Sequence, residues 1–159
     1  MTKRVVALAV VLALAGGVAA LPAQVRFGGQ LSYGDNTHVG IGARLQYAPT
    51  SLFKNAPIVS VASFDWFFPD EPPGVSLTAF EINYNVFYQF KVDALTPYAG
   101  GGLVLGYASS SPGGSNTDLG INLGGGLQFK TAGRLAPFIE GRFELSAFEQ
   151  FVITGGVVF

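Results

Sequence analysis

The feature that most constrains this chain is its closing run, Gln150 to Phe159, where Phe151, Ile153, Val157 and Phe159 place large apolar side chains on alternate positions. Successive side chains of a strand point to opposite faces, so this pattern reads as a strand with one apolar face. Terminal residues usually fray, because ordering them costs entropy and buries little. A chain that stops on a ring in mid-strand is expected to have that strand held in a sheet.

The same alternation recurs upstream. In Val25 to Tyr33 the residues Val25, Phe27, Leu31 and Tyr33 share one face, and Arg26, Gly28, Gln30 and Ser32 the other. In Val39 to Tyr47, apolar Val39, Ile41, Ala43, Leu45 and Tyr47 oppose Gly40, Gly42, Arg44 and Gln46. Phe80 to Phe90, Leu119 to Phe129 and Ile139 to Leu145 repeat it. A glycine-rich strand over Tyr98 to Tyr107 and the ambiguous Ile58 to Phe68 complete eight strands, an even number. In the ambiguous strand, Ile58, Phe64 and Trp66 share a face with Ser60, while Val59, Val61 and Phe67 share the other with Ser63 and Asp65. A bulge would reconcile the two sets. Ser109 to Asn116 reads as the most mobile loop, and Pro69 to Gly74 as a clear break.

Ala56-Pro57-Ile58, Thr96-Pro97-Tyr98 and Ala136-Pro137-Phe138 recur at an interval of 40 residues. Each opens an odd-numbered strand, where proline is tolerated because the first ladder donor is dispensable. The repeat is a two-stranded unit, too small for a propeller blade.

Ahead of the strands, Lys3-Arg4, an apolar run from Val5 to Val18, and Ala19-Ala20-Leu21-Pro22-Ala23 form the three regions of a secretory signal peptide. The expected domains are a leader over 1–23, cut after Ala23 with Ala20 as second choice, and a barrel over 24–159. A membrane-anchor helix is the rival reading; the small residues at its end favour cleavage. No later apolar run is long enough for a spanning helix.

Charge decides which face points where. Charged residues are only 12% of the chain, about half the usual share. The polar face of the assigned strands carries Arg26, Arg44, Glu81, Glu140, Arg142 and Glu144 among Gly, Asn, Gln and Ser. Small residues and balanced charges suit a narrow lumen, where ions pair because each is partly desolvated. The apolar face carries no charge, and a basic residue there would cost about 2–4 kcal/mol at the bilayer midplane. The expected fold is therefore all-β: an eight-stranded antiparallel up-and-down transmembrane β-barrel.

The chain resembles the small eight-stranded outer-membrane β-barrel family, the OmpA-like and OmpX-like membrane domains. The residues that carry the resemblance are Thr96 to Gly102, Ala136 to Phe143 and Ile153 to Phe159. The resemblance implies a bacterial outer-membrane location, contact with lipid and lipopolysaccharide, and delivery by periplasmic chaperones. It also implies insertion by the assembly machinery that reads the final strand, here Phe151, Ile153, Val157 and Phe159. No peptidoglycan-binding domain is expected, and the barrel is expected to be a monomer.

The lumenal charges read as a structural plug, since such barrels are just wide enough for side chains to fill. A gate or small pore for ions or apolar solutes is the alternative. A lipid-modifying enzyme ranks third, because His38 is the single histidine and sits at a turn beside Ser32 and Asp35. Asp70-Glu71 and Asp118 read as solvated rim acids. A formal charge of -1 leaves no basic footprint for nucleic acid. Without cysteine there is no disulfide, zinc-thiolate site or lipid-acylated cysteine. No catalytic residue, cofactor or metal is expected.

Overall fold

The computed structural model describes residues 25–48, 57–146 and 149–159. The leader over 1–23 and its two candidate cleavage points lie outside the described residues. The strands are β1 (Val25–Gly34), β2 (His38–Tyr47), β3 (Ile58–Phe67), β4 (Ser76–Gln89), β5 (Leu95–Ser111), β6 (Ser115–Phe129), β7 (Ala136–Leu145) and β8 (Gln150–Val158). Each pairs antiparallel with its sequence neighbours, and β1 pairs with β8, closing the barrel.

The seam lies where the alternation of the last strand places it. Leu31 pairs with Gly155, Ser32 with Thr154 and Tyr33 with Ile153. Phe27 and Phe159 exchange both backbone hydrogen bonds, at 3.2 and 2.8 Å. Val152, Thr154 and Val158 are buried in the lumen, while Ile153, Gly155 and Phe159 are exposed outward. Closure satisfies the backbone without water, which a spanning sheet requires.

The outward face is apolar around the whole circumference. Exposed Leu31, Ile82, Leu103, Leu123, Ile139 and Ile153 come from six different strands. Aromatics mark both borders. Toward the end opposite the termini, hereafter the far end, Trp66, Phe80 and Tyr107 stack across β3, β4 and β5 with centroids 6.0 and 4.8 Å apart. Toward the near end, Tyr88 and Phe90 meet edge to face at 5.0 Å. Leu123 sits mid-strand on β6, between Gly101 and Phe143, and is 56% exposed. Leu123→Arg is expected to destabilise the barrel in lipid vesicles by about 2–4 kcal/mol, whereas Val92→Arg in a near-end turn costs at most about 1 kcal/mol. Equal unfolding midpoints for the two variants would remove the lipid-facing assignment.

β3 and the Ser109 to Asn116 segment differ from the sequence expectation. β3 carries no bulge: its register runs unbroken against both neighbours, from Gly40↔Phe67 to Tyr47↔Ser60 and from Ile58↔Tyr88 to Phe67↔Ala79. Val59, Val61, Ser63, Asp65 and Phe67 all point inward. The inside of this barrel is apolar in places, so an inward valine needs no bulge. Val59 and Val61 pack with Phe87 and Tyr98 in one layer, and Ala136, Phe138 and Val158 form another.

Ser109 to Asn116, expected as a loop, is mostly strand. β5 runs to Ser111 and β6 restarts at Ser115, leaving a tight turn. Ser76, Thr78 and Ala79 of β4 pair with Ser111, Ser109 and Ala108 of β5, so the ladder orders residues that have no apolar pattern of their own. β4, β5 and β6 have 14, 17 and 15 residues, against 9 or 10 in the other strands. A spanning strand needs about 9–11 residues. These three therefore stand out beyond the apolar belt at the far end.

Candidate functional site: the charged lumen

The inward positions of the middle strands carry two ion clusters. The larger centres on Arg142 of β7, which is 2% exposed. Its Nε donates to Glu144 at 2.7 Å, and one Nη group donates to Glu81 at 3.2 Å and Asp65 at 3.3 Å. The other Nη donates to the Thr154 hydroxyl at 3.3 Å. Gln150 bridges two of the acids, donating to Glu144 at 2.8 Å and also to Glu81. Asp65 further accepts from Gln30 at 2.8 Å and from the Ser32 hydroxyl at 2.7 Å. One guanidinium thus ties β7 to β3, β4 and β8. Buried acids persist at such a depth only with donors of this kind around them.

Room for this crowd comes from glycine on the neighbouring strand, where Gly124 of β6 pairs with Arg142. A Cβ on Gly124 would come within 2.8 Å of the Arg142 Cβ. The second cluster lies toward the near end. Arg44 donates to Glu140 at 2.8 Å, Tyr98 adds its hydroxyl to the same carboxylate at 3.0 Å, and the Arg44 guanidinium lies 4.2 Å from the Phe138 ring centre. At another inward level, Asn122 donates to Asn83 at 2.7 Å and Asn85 at 3.1 Å.

Of the six predicted lumenal charges, Arg44, Glu81, Glu140, Arg142 and Glu144 are buried and grouped as two clusters. Arg26 is the exception: it has inward parity but is exposed at the near end of β1. Parity sets which wall a residue lines, while depth along the axis sets whether it is enclosed. Asp65 was missed, because its strand had no assigned face. Its signal was chemical: a carboxylate on a spanning strand has to face away from lipid.

The residues considered for chemistry are held apart. Ser32 faces the interior, bonded to Asp65 and 3.0 Å from the Thr154 hydroxyl. His38 closes the β1–β2 turn with φ 61°, a left-handed conformation suited to such turns. Its ring stacks on Tyr33, and its Nδ1 lies 3.4 Å from the rim carboxylate of Asp70. Asp35 accepts the Phe151 backbone N–H at 3.1 Å. Among the described residues no group of three or more His, Asp or Glu is arranged to hold a metal.

A closed eight-stranded antiparallel barrel with an apolar outside and a charged inside is the architecture of the small outer-membrane β-barrels. No family model matches the sequence, and no curated protein sequence does. Solved structures do match in fold. The N-terminal β-barrel domain of Pseudomonas aeruginosa OprF aligns with TM-score 0.64 and 16% identity over 85% of this chain and 95% of that one. Ail, the attachment invasion locus protein of Yersinia pestis, aligns with TM-score 0.58 and 16% identity over 84% and 93%. A major outer-membrane protein from Thermus thermophilus aligns with TM-score 0.58 and 10% identity over 85% and 98%. Ail has also been solved in complex with the heparin analogue sucrose octasulfate.

Proposed function

We propose that this chain is an integral protein of the bacterial outer membrane, exported by a cleaved leader, with a structural and surface-interaction role and no catalysis. Its lumen is read as plugged. The observation that carries the plug is Arg142, buried and bonded to acids projecting from three strands. The continuous apolar belt with aromatic borders supports lipid and lipopolysaccharide as its surroundings. Phe151, Ile153, Val157 and Phe159 on the outward side of β8 fit the role of address for the assembly machinery, after passage on periplasmic chaperones. The paired seam supports a monomer.

In this reading the far end faces out of the cell, and the extended β4, β5 and β6 form the contact surface. Their neighbourhood is acidic, so a polyanion of the kind bound to Ail is not the partner they suit. In planar bilayers the wild-type protein is expected to give no steady channels. Steady channels whose conductance changes in Arg142→Ala would replace the plug by a narrow pore. One observation favours that second reading: Gln30 Oε1, Arg44 Nε, Asn83 Nδ2 and Asn122 Oδ1 are buried without a hydrogen-bond partner among the described residues. Polar lumen space of this kind is suited to holding water.

A further inference from the structure

Above the Arg142 cluster, between the far ends of β4, β5 and β6 and the β1–β2 turn, lies a cavity of about 780 Å³, a size typical of small-molecule sites. Glu81 and Gln150, members of that cluster, line it. Phe67, Leu77, Ala79 and Ala108 give it an apolar side. Ala79 and Ala108 are cross-strand partners, and their short side chains keep the space open.

The charge around this cavity is one-sided. Asp65, Glu81 and Glu144 share the single guanidinium of Arg142, so carboxylates outnumber cations at this level. The far-end turns carry Asp35, Asp70, Glu71, Asp118 and Glu149 in or beside them, and among the described residues no lysine or arginine lies in these turns. Arg26, Lys91, Lys130 and Arg134 all lie toward the other end of the barrel. A cleft lined by one sign of charge within low-dielectric walls concentrates ions of the opposite sign.

We infer that the cavity binds a small organic cation, with an ammonium head at Glu81 and a short apolar body against Phe67, Leu77, Ala79 and Ala108. A bare metal ion fits less well, because the space far exceeds one ion and a metal would leave the apolar side uncovered. An anion of the same size meets the carboxylates of Glu81 and Glu149. The site is the same whether or not the lumen below conducts and whichever compartment the far end faces.

The test uses the mature chain refolded in zwitterionic micelles and titrated with hexylammonium, hexanol and hexanoate, with binding followed by calorimetry. Saturable binding is expected for hexylammonium, roughly tenfold or more tighter than for hexanol, and none for hexanoate. Ala108→Phe fills the cavity while leaving every member of the Arg142 cluster unsubstituted, and should weaken hexylammonium binding roughly tenfold or more. Glu81→Gln should remove the preference for the ammonium over the alcohol. Equal binding of the three probes, or hexylammonium binding unchanged in Ala108→Phe, would overturn the site. If Glu81→Gln does not fold, Ala108→Phe alone decides the matter.

Discussion

Arg142→Ala is expected to lower the unfolding free energy of the refolded barrel by about 3–5 kcal/mol, the usual cost of removing one partner from a buried ion cluster. The reason is what remains behind. Among the described residues, Asp65, Glu81 and Glu144 would then face one another with Gln150, Gln30 and Ser32 as their side-chain donors. The guanidinium also bonds Thr154 on β8, so its loss loosens the strand that closes the barrel. Trp66, the single tryptophan, lies outward on β3 and reports unfolding in urea by its emission. Arg44→Ala should cost less, since Glu140 then stands alone as one carboxylate and keeps the Tyr98 hydroxyl. Combining Arg142→Met with Asp65→Asn, Glu81→Gln and Glu144→Gln should recover most of the loss, because a neutral interior carries no unpaired charge. A midpoint unchanged by Arg142→Ala would refute a structural role for the cluster.

That cluster shows where the sequence was readable and where it was not. β1, β2, β7 and β8 were legible because their two faces meet different media, and the alternation of polarity records that difference directly. β3 was not, because both of its faces carry large apolar residues: Val59 and Val61 meet Phe87 and Tyr98 inside, and farther along Phe64 and Trp66 face outward. Asp65 alone could have fixed its facing, by the cost of a charge in lipid. The far ends of β5 and β6 failed for another reason. Ser109 to Ser111 and Ser115 to Thr117 lie beyond the apolar belt, where no lipid imposes a pattern. Their strand conformation comes from pairing with each other and with β4, a non-local cause that local composition does not display. Arg26 marks the last limit, since alternation gives a face and carries no measure of depth. The cavity was invisible too, because its lining is gathered from strands and turns far apart in the sequence, from Asn36 to Gln150.

Gly102 is expected to be the least tolerant glycine tested in this sheet. It points inward on β5, opposite Asn85 of β4 and Asn122 of β6. A Cβ built there would overlap the Tyr84 carbonyl oxygen and come within 2.6 Å of the Asn85 Cα, both backbone atoms. A flexible side chain could swing away from such a contact; a paired strand cannot move without opening its ladder. In an open sheet the shift could end at an edge, but a closed barrel passes it on to every neighbour, and lipid offers the freed backbone groups no partner. Even Gly102→Ala therefore meets the full obstruction, and Gly102→Val adds bulk to it. The expected cost exceeds about 4 kcal/mol, the range that marks a specific structural conflict. In practice the variant would fail to reach the compact, heat-modifiable form in gel migration. Gly29 is the control within the same barrel: it faces outward on β1, and none of the described residues lies within 4 Å of where its Cβ would be. Gly29→Ala should stay within about 0.5 kcal/mol of the parent protein. Folding of Gly102→Ala with the same midpoint as Gly29→Ala would mean that β4 and β5 are not held as closely as their register requires.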